Sequence, residues 1–487
     1  MYVKCDTVKK LQPVQTYVDT DMELNDAEEV VSVQAKARVD SVTPSQGAAD
    51  VVTTIDYAVI YNAADGLGSL KDVKVETVRL TAPFINENSF VVAEAGVVST
   101  EFVGTGKLRV RVMLEVSGIA LEPSGFESGE VSDEMCLKKE SVSLIAAEPV
   151  RGGEFIIEGG DFVRDAIDEI VFAEPVIKLD SVTSATDITK LSGTLYTYVR
   201  YLGAGRAAGY VIRTPFDAEL LTPGVNEESR VYLTPVKIGA NVYTTPGETG
   251  SELKVEATVG MAGYALNKTD TEIVTDAYSR TKETKPEYAV KEVTSDACAV
   301  IEKVKYFGSA TVSEDVNLRN IAALGAPAIC ALGVSGTDPI VVEGVIGAEI
   351  ICEDDAGKPV RIFAEVPFRA ESELSGECPA AVMVSAAVSE YTARLRQGGS
   401  TEISGEIEIR IASETRSEIS FIESVRELGD KQPDDELVIS LYVVGEGEGL
   451  FEVAKALNSD EEELKRMNPS MTLPVKTGDK ILYYKAE

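Results

Sequence analysis

Histidine and tryptophan are both absent from this 487-residue chain. Without imidazole there is no Ser-His or Cys-His nucleophile pair and no His metal ligand, which removes the commonest catalytic arrangements and leaves only carboxylate- or lysine-based chemistry open. Cysteine is scarce. Cys5, Cys136, Cys298, Cys330, Cys352 and Cys378 lie far apart and none forms a CxxC pair, so they read as incidental thiols in a reducing compartment rather than a zinc or redox site. Basic residues are outnumbered, 46 Lys and Arg against 81 Asp and Glu, for a net charge of −35. Such a surface repels phosphate backbones and anionic lipid heads, which argues against nucleic acid as a partner. Long apolar runs are lacking as well. A membrane helix needs about 20 consecutive apolar residues, and even the run from Ile340 to Cys352 is broken by Glu343 and Glu349. The first ten residues contain no apolar signal-peptide core. The expectation is a protein without membrane insertion that stays in the cell that makes it.

Apolar residues make up 44% of the chain, enough to build cores, and at roughly 100–200 residues per domain the length holds three or four domains. The most informative stretch runs from Gly193 to Phe216. Residues 194–201 are rich in Tyr, Thr, Leu and Val, the glycines at Gly203 and Gly205 allow a reversal, and a second apolar run ends on Pro215, which together describe a β-hairpin. Another version starts at Gly344, where Gly357 precedes Pro367 by the same 10 residues that separate Gly205 from Pro215. A version starting at Asp56 has Gly66 17 residues before Pro83 and reads as the same hairpin with a loop insertion. On this alignment Phe84, Phe216 and Phe368 are equivalent core aromatics, each beside a proline at a strand end or edge.

Each hairpin is headed by an Asp-led stretch, from Asp21, Asp161 and Asp315, that reads as a short helix, with Asp21 or Asn25 as a cap in the first. The triplet Asp40-Ser41-Val42 recurs as Asp180-Ser181-Val182. After each hairpin comes a second one. Leu108, Val110, Val112, Leu114 and Val116 alternate with Lys107, Arg109, Arg111, Met113 and Glu115 after Gly104 and Gly106, and similar alternation follows the turns at Pro246 and Gln397. That period means antiparallel sheets with one face on a core. The fold class is therefore mainly β: three β-rich sandwich- or barrel-like units at 1–122, 135–266 and 282–425, with a small βααβ unit at 437–487. The joints at 121–134 and 266–287, rich in Ser, Thr, Glu, Lys and Pro, are expected to be exposed.

The threefold order of Asp-led stretch, Gly-started hairpin and Pro-Phe end resembles the SPOCS domain of spore-coat morphogenetic proteins, over about residues 1–425. The tail, residues 440–485, resembles a LysM domain. Its strand Leu441–Val444 leads into a helix carrying Leu450, Val453, Ala454 and Leu457 on one face. Ser459 and Glu462 form a capping-box pattern for a second helix with Leu464 and Met467, stopped at Asn468 and Pro469. Ile481–Tyr484 closes the unit. LysM domains bind N-acetylglucosamine-containing glycans between two loops, and the resemblance carries that groove onto Gly447, Glu448, Gly449, Leu450, Asn468, Pro469 and Ser470. The family's usual Gly-Asp-Thr-Leu is here Gly447-Glu448-Gly449-Leu450, which lacks the hydroxyl that meets a sugar, and there is no tryptophan platform.

The resemblance implies a non-catalytic scaffold in the mother-cell cytoplasm at the forespore surface, whose tail recruits a coat protein such as a SpoIVA-type ATPase. The alternatives are a reader of peptidoglycan or cortex glycan and a self-assembling envelope subunit whose sheet edges pair between copies. No cofactor and no metal is expected. The acidic run Glu353, Asp354 and Asp355 lacks EF-hand spacing, and the glycines at 445–449 lack a phosphate-loop lysine.

Overall fold

The computed structural model describes residues 2–64, 66–128, 134–311, 317–336, 339–373, 381–396, 400–431 and 439–484. The chain's alternating apolar and β-branched residues form strands throughout the larger units. In the first, β1 (Tyr2–Lys4), β2 (Thr7–Lys10), β3 (Val14–Glu23), β4 (Ala27–Ser45), β5 (Ala48–Ala63), β6 (Gly66–Thr81), β7 (Val91–Val103), β8 (Lys107–Glu122) and β9 (Gly125–Glu127) follow in order. Strands β4-β5-β6 make one antiparallel meander, and β8 lies between β3 and β7 in a facing sheet. The expected alternation holds on β8, whose Val110, Val112, Leu114 and Val116 are fully buried. Each such side chain contributes about 1.5–3 kcal/mol.

The same strand order recurs twice. The second unit has β10 (Met135–Val163), β11 (Glu169–Ala185), β12 (Ile188–Gly203), β13 (Arg206–Leu221), β14 (Arg230–Pro246) and β15 (Ser251–Ser279). Its meander is β11-β12-β13 and its facing sheet β10-β15-β14. The third has β16 (Lys282–Thr311), β17 (Leu318–Leu324), β18 (Ala328–Ser335), β19 (Ile340–Asp354), β20 (Pro359–Ser372), β21 (Ala381–Leu395) and β22 (Ser400–Asp430). There the first meander strand is split into β17 and β18 around Gly325-Ala326-Pro327, and both halves pair with β19. In each unit the two sheets enclose one apolar core.

Three sequence expectations need correction. The Asp-led stretches are not helices: Asp21 is in β3, Asp161 is in β10, and the residues after each begin a new strand. The apolar positions of 30–39, several of them β-branched, suit a twisted strand, with Val33, Ala37 and Val39 buried on one side. Asp315 lies outside the described residues, as do 397–399 of the third unit's last hairpin. The repeated Asp-Ser-Val triplet instead marks a β-bulge in each of two strands, between Val39 and Ser41 and between Leu179 and Ser181.

The second correction concerns the phenylalanines. Phe216 pairs with Gly193 and Phe368 with Gly344, each ring lying over its glycine, where a Cβ would come within 3.0 and 2.6 Å of the ring. Phe84 is elsewhere, in the turn after β6. There Ala82-Pro83-Phe84-Ile85-Asn86 repeats the backbone bonds of Thr222-Pro223-Gly224-Val225-Asn226, Ala82 binding Gly47 as Thr222 binds Asp187. Hairpin strands β6 and β13 are equally long at 16 residues, so no insertion exists. Pro83 therefore corresponds to Pro223 and not to Pro215.

The third is the joints. Phe126 of the first joint is buried and packs against Phe421 with ring centroids 4.3 Å apart and the rings tilted by 31°. Residues 266–287 are not a loose joint, because β15 runs through Ser279 and β16 starts at Lys282, paired along their lengths with β10 and β22. These ribbons bury Val274, Ala277 and Ile422 against one another. Composition suggested a linker because one face of each ribbon is polar, yet the other face carries enough apolar surface to pack.

The three units close into a ring. Strand β6 lies against β11, β13 against β17, and β20 against β4, so each meander's last strand meets the next unit's first. A second set of contacts, β14 on β4, β21 on β11 and β7 on β18, repeats the same cycle. At the axis, Ser32 of the first unit, Arg200 of the second and Glu349 of the third meet in one buried cluster. Glu349 accepts from Arg200 at 2.7 Å, from Ser32 at 2.8 Å and from Arg361 at 2.8 Å. Beside it lies a cavity of about 360 Å³ lined by all three units. No helix among the described residues is long and apolar enough to cross a membrane.

Candidate functional site in the C-terminal tail

The tail consists of β23 (Ile439–Val443), α1 (Leu450–Ala456), α2 (Glu461–Met467) and β24 (Lys480–Tyr484), the two strands pairing antiparallel. Helix α1 forms because Leu450, Val453 and Ala454 share a face that is buried on Leu464, Val475 and Ile481. Gly449 is its N-cap, and the Glu452 carboxylate accepts from the Gly449 N–H at 2.7 Å. For α2 the cap is Asp460, which accepts from the Glu463 N–H at 2.7 Å. The Ser459-Glu462 expectation is thus displaced by one residue. Ser459 is fully buried, and its hydroxyl donates to the Glu463 carboxylate. Of the second helix's two apolar residues, Leu464 is buried and Met467 only half-buried.

The loop residues singled out by sequence divide into structural and exposed ones. Glu448 turns inward, accepting from the Gly445 N–H at 2.7 Å and from the Tyr442 hydroxyl at 3.0 Å, which holds the Tyr442 phenol above its ordinary range. Leu450 is buried. Asn468 is a clip: its amide donates to the carbonyls of Leu464 and Leu482 at 2.9 and 2.8 Å, and its oxygen accepts from the Leu482 N–H at 2.8 Å. Both of its N–H groups are thereby committed to the fold. Gly447, in the left-handed region at φ 78°, and Pro469 and Ser470 face solvent, while Gly449 is half-buried. The two loops are therefore shaped by Glu448 and Asn468 and present Gly447, Pro469 and Ser470.

The tail does not hang free. Tyr278, on β15, is buried in the tail's own core, its ring edge-on to Phe451 at 5.2 Å and its hydroxyl donating to the Ser459 carbonyl at 2.7 Å. Around it Arg280 pairs with Asp460 at 2.6 Å and Glu463 at 3.2 Å, Lys138 with Glu452 at 2.8 Å, and Lys455 with Asp276. Ion pairs this exposed contribute about 0–1 kcal/mol each. The Tyr278–Phe451 contact carries more of the docking, since buried aromatics supply the largest apolar area. The sequence signal for it was Phe451, an apolar residue off the helix's inward face. Residues 432–438, immediately before the tail, lie outside the described residues.

Elsewhere, charged groups at the ring axis are engaged with one another. Lys36 lies 3.9 Å from Glu174 and donates to the Pro175 carbonyl. Burial pushes Lys36 down and Glu174 up, each partly offset by the other. Among the described residues no three Cys, Asp or Glu side chains converge as a metal site. Burial raises the thiols of Cys298 and Cys330, and that of Cys352 to about 11. Cys378 lies outside the described residues. No family model matches this chain, no curated protein matches it, and no solved structure matches it.

Proposed function

We propose that this chain is a non-catalytic scaffold of the endospore coat, built of three SPOCS-like units and a LysM-like tail that recruits a coat protein such as a SpoIVA-type ATPase. It would act in the mother-cell cytoplasm at the forespore surface. The observation that carries the reading is the docking of the tail on the β10–β15 ribbon through Tyr278, Arg280 and Lys138. A module held this way presents its loops in a fixed direction relative to the ring, as a recruiting surface needs. Glu448 and Asn468 favour a protein over a glycan, because the side chains that would reach a sugar are already bonded within the fold. The three recurring strand orders support the SPOCS-like reading of the body.

The test compares pull-down of a purified coat ATPase with sedimentation on purified peptidoglycan. Full-length protein, protein lacking residues 437–487, and a Pro469→Glu/Ser470→Arg variant of the exposed loop are used. Both alterations are expected to reduce capture of the ATPase, with little glycan sedimentation by any form. Strong glycan sedimentation that the truncation abolishes, with ATPase capture unchanged, makes the tail a sugar reader and overturns the reading.

A further inference from the structure

The tail's two strands carry apolar side chains on both faces. Tyr442, Ile481 and Tyr483 turn to the helices. Ile439, Leu441 and Val443 on β23, with Leu482 and Tyr484 on β24, turn outward and are 79, 56, 55, 38 and 44% exposed. A sheet with one wet face alternates apolar with polar, whereas continuous apolar strands belong to sheets covered on both sides. The ribbon thus has the composition of a sheet with a second cover.

Main-chain geometry shows where that cover attaches. Leu441 is the direct partner of Leu482, yet the N–H and C=O of Leu482 go to the Asn468 side chain. The pair is therefore of the non-hydrogen-bonded kind, and since the two kinds alternate, so are Ile439–Tyr484 and Val443–Lys480. The backbone groups of Ile439, Leu441 and Val443 consequently point away from β24. Asn468 closes the free edge of β24 at Leu482, whereas among the described residues no strand pairs with the outer edge of β23. An open edge beside exposed apolar side chains is a template for another strand.

We propose that β23 pairs antiparallel with β23 of a second copy of this chain, about a twofold axis at Leu441, joining the two ribbons into one four-stranded sheet. The sequence is self-complementary in that register. Leu441 faces its own counterpart in a hydrogen-bonded pair, and Ile439 faces Val443 of the second copy in both directions, so apolar meets apolar on the outer face, while Ser440 faces Tyr442 on the helix-side face. The new sheet continues the existing one without rearrangement, and the outer apolar faces become contiguous. A stable pair buries about 800 Å² per partner. Five residues of strand fall short of that, so the dimer is weak and depends on concentration. Two copies at −35 each repel, so salt strengthens this association by screening. Docking of a basic foreign strand would respond to salt in the opposite direction.

This inference does not rest on recruitment of a coat protein, and its test uses only the purified full-length chain. Sedimentation equilibrium over a range of protein and salt concentrations is expected to show a reversible monomer–dimer equilibrium between 52.1 kDa and twice that mass, tightened by salt. Leu441→Lys, at an exposed position that leaves the fold intact by circular dichroism, is expected to weaken the dimer at least tenfold. Leu441→Cys is expected to form a disulfide-linked dimer under mild oxidation, because Cα atoms about 5.5 Å apart in such a pair are within disulfide reach. Wild type and a Ser470→Cys control are expected to stay unlinked. A monomer under all conditions, or an association that Leu441→Lys leaves unchanged, overturns the proposal. So does a chain that stays monomeric while Leu441→Lys abolishes capture of a basic protein, which would assign the edge to a foreign strand.

Discussion

Removing Arg200 tests whether the ring is one cooperative body. Arg200 is 2% exposed, and Glu349, from a different unit, is nearly as buried. The Nε and Nη2 of Arg200 find no hydrogen-bond partner among the described residues. The guanidinium is accommodated because residue 325 is glycine: a Cβ there would come within 2.6 Å of Nη2. Taking one partner from a buried pair strands the other charge and costs about 3–5 kcal/mol. Arg361 still pairs with Glu349, so Arg200→Leu is expected near the lower bound, about 3 kcal/mol. Replacing Glu349 as well removes the stranded carboxylate and leaves only Arg361 unpaired, whose side chain is 27% exposed. Arg200→Leu/Glu349→Leu is therefore expected to recover most of the loss, giving a coupling of about 2–3 kcal/mol.

The assay is urea unfolding of the full-length chain followed by far-ultraviolet circular dichroism and by tyrosine emission, which the absence of tryptophan leaves unobscured. Because the cluster joins one residue from each unit, Arg200→Leu is also expected to make the two probes' transitions diverge as the units unfold separately. Additive single and double variants, or an Arg200→Leu protein within about 0.5 kcal/mol of wild type, would refute the view that this cluster locks the ring.

Two further outcomes follow from groups already placed. Tyr278→Ala is expected to undock the tail, at about 3–5 kcal/mol for a buried aromatic, whereas Tyr278→Phe loses about 1 kcal/mol with its hydrogen bond; faster hydrogen exchange across residues 450–467 in the alanine variant alone checks this, and unchanged exchange would refute docking through Tyr278. Stability is expected to peak at mildly acidic pH. Burial pushes Glu408 and Glu414 up against the pull of Arg410 and Arg416. The folded state therefore takes up protons before the unfolded one, and stability rises as pH falls from those raised values towards the unfolded carboxylate value of about 4.3. Desolvation also pushes Glu349 up, but Arg200 and Arg361 outweigh it and hold the carboxyl below its usual range. Its contribution is complete above the unfolded value and lost as pH falls through the lower folded one. A monotonic decline of the urea midpoint from neutral pH downward would contradict this balance.

The strands were legible wherever apolar residues alternate, as at Leu108 to Val116, because one face of a sheet must be dry. The tail's helices were legible from Leu450, Val453 and Ala454 at helical spacing. Asp21 and Asp161 precede apolar runs as helix caps do, but acidic residues also serve connections between strands: Asp26, with positive φ, turns the chain from β3 to β4, and in the β10–β11 connection Asp165 accepts from the Tyr201 hydroxyl and Asp168 from the Ala204 N–H. Pro83 misled because Pro-Phe occurs in two different contexts, and only the bonds from Gly47 and Asp187 to the following turn distinguish them. The axial cluster of Ser32, Arg200 and Glu349 was out of reach. Its members are more than 140 residues apart in sequence, and each alone looks like an ordinary polar residue on a strand.

Ring closure also bears on how the tail is held. Beads on exposed linkers would let the tail reorient freely, but β10, β15, β16 and β22 run from the sandwich cores outward as ribbons of 29 to 31 residues. The far ends of these ribbons carry the tail, with Cys136 and Tyr278 in its core and Lys431 bonded to Asn458. A force or ligand that shifts the tail must therefore distort two paired ribbons whose inner ends are the central strands β15 and β22 of their sheets. Those strands are the least able to move, since each is paired on both sides and packed on a closed core. The geometry thus favours transmission of orientation from ring to tail, which a recruiting scaffold can exploit and a flexible tether cannot.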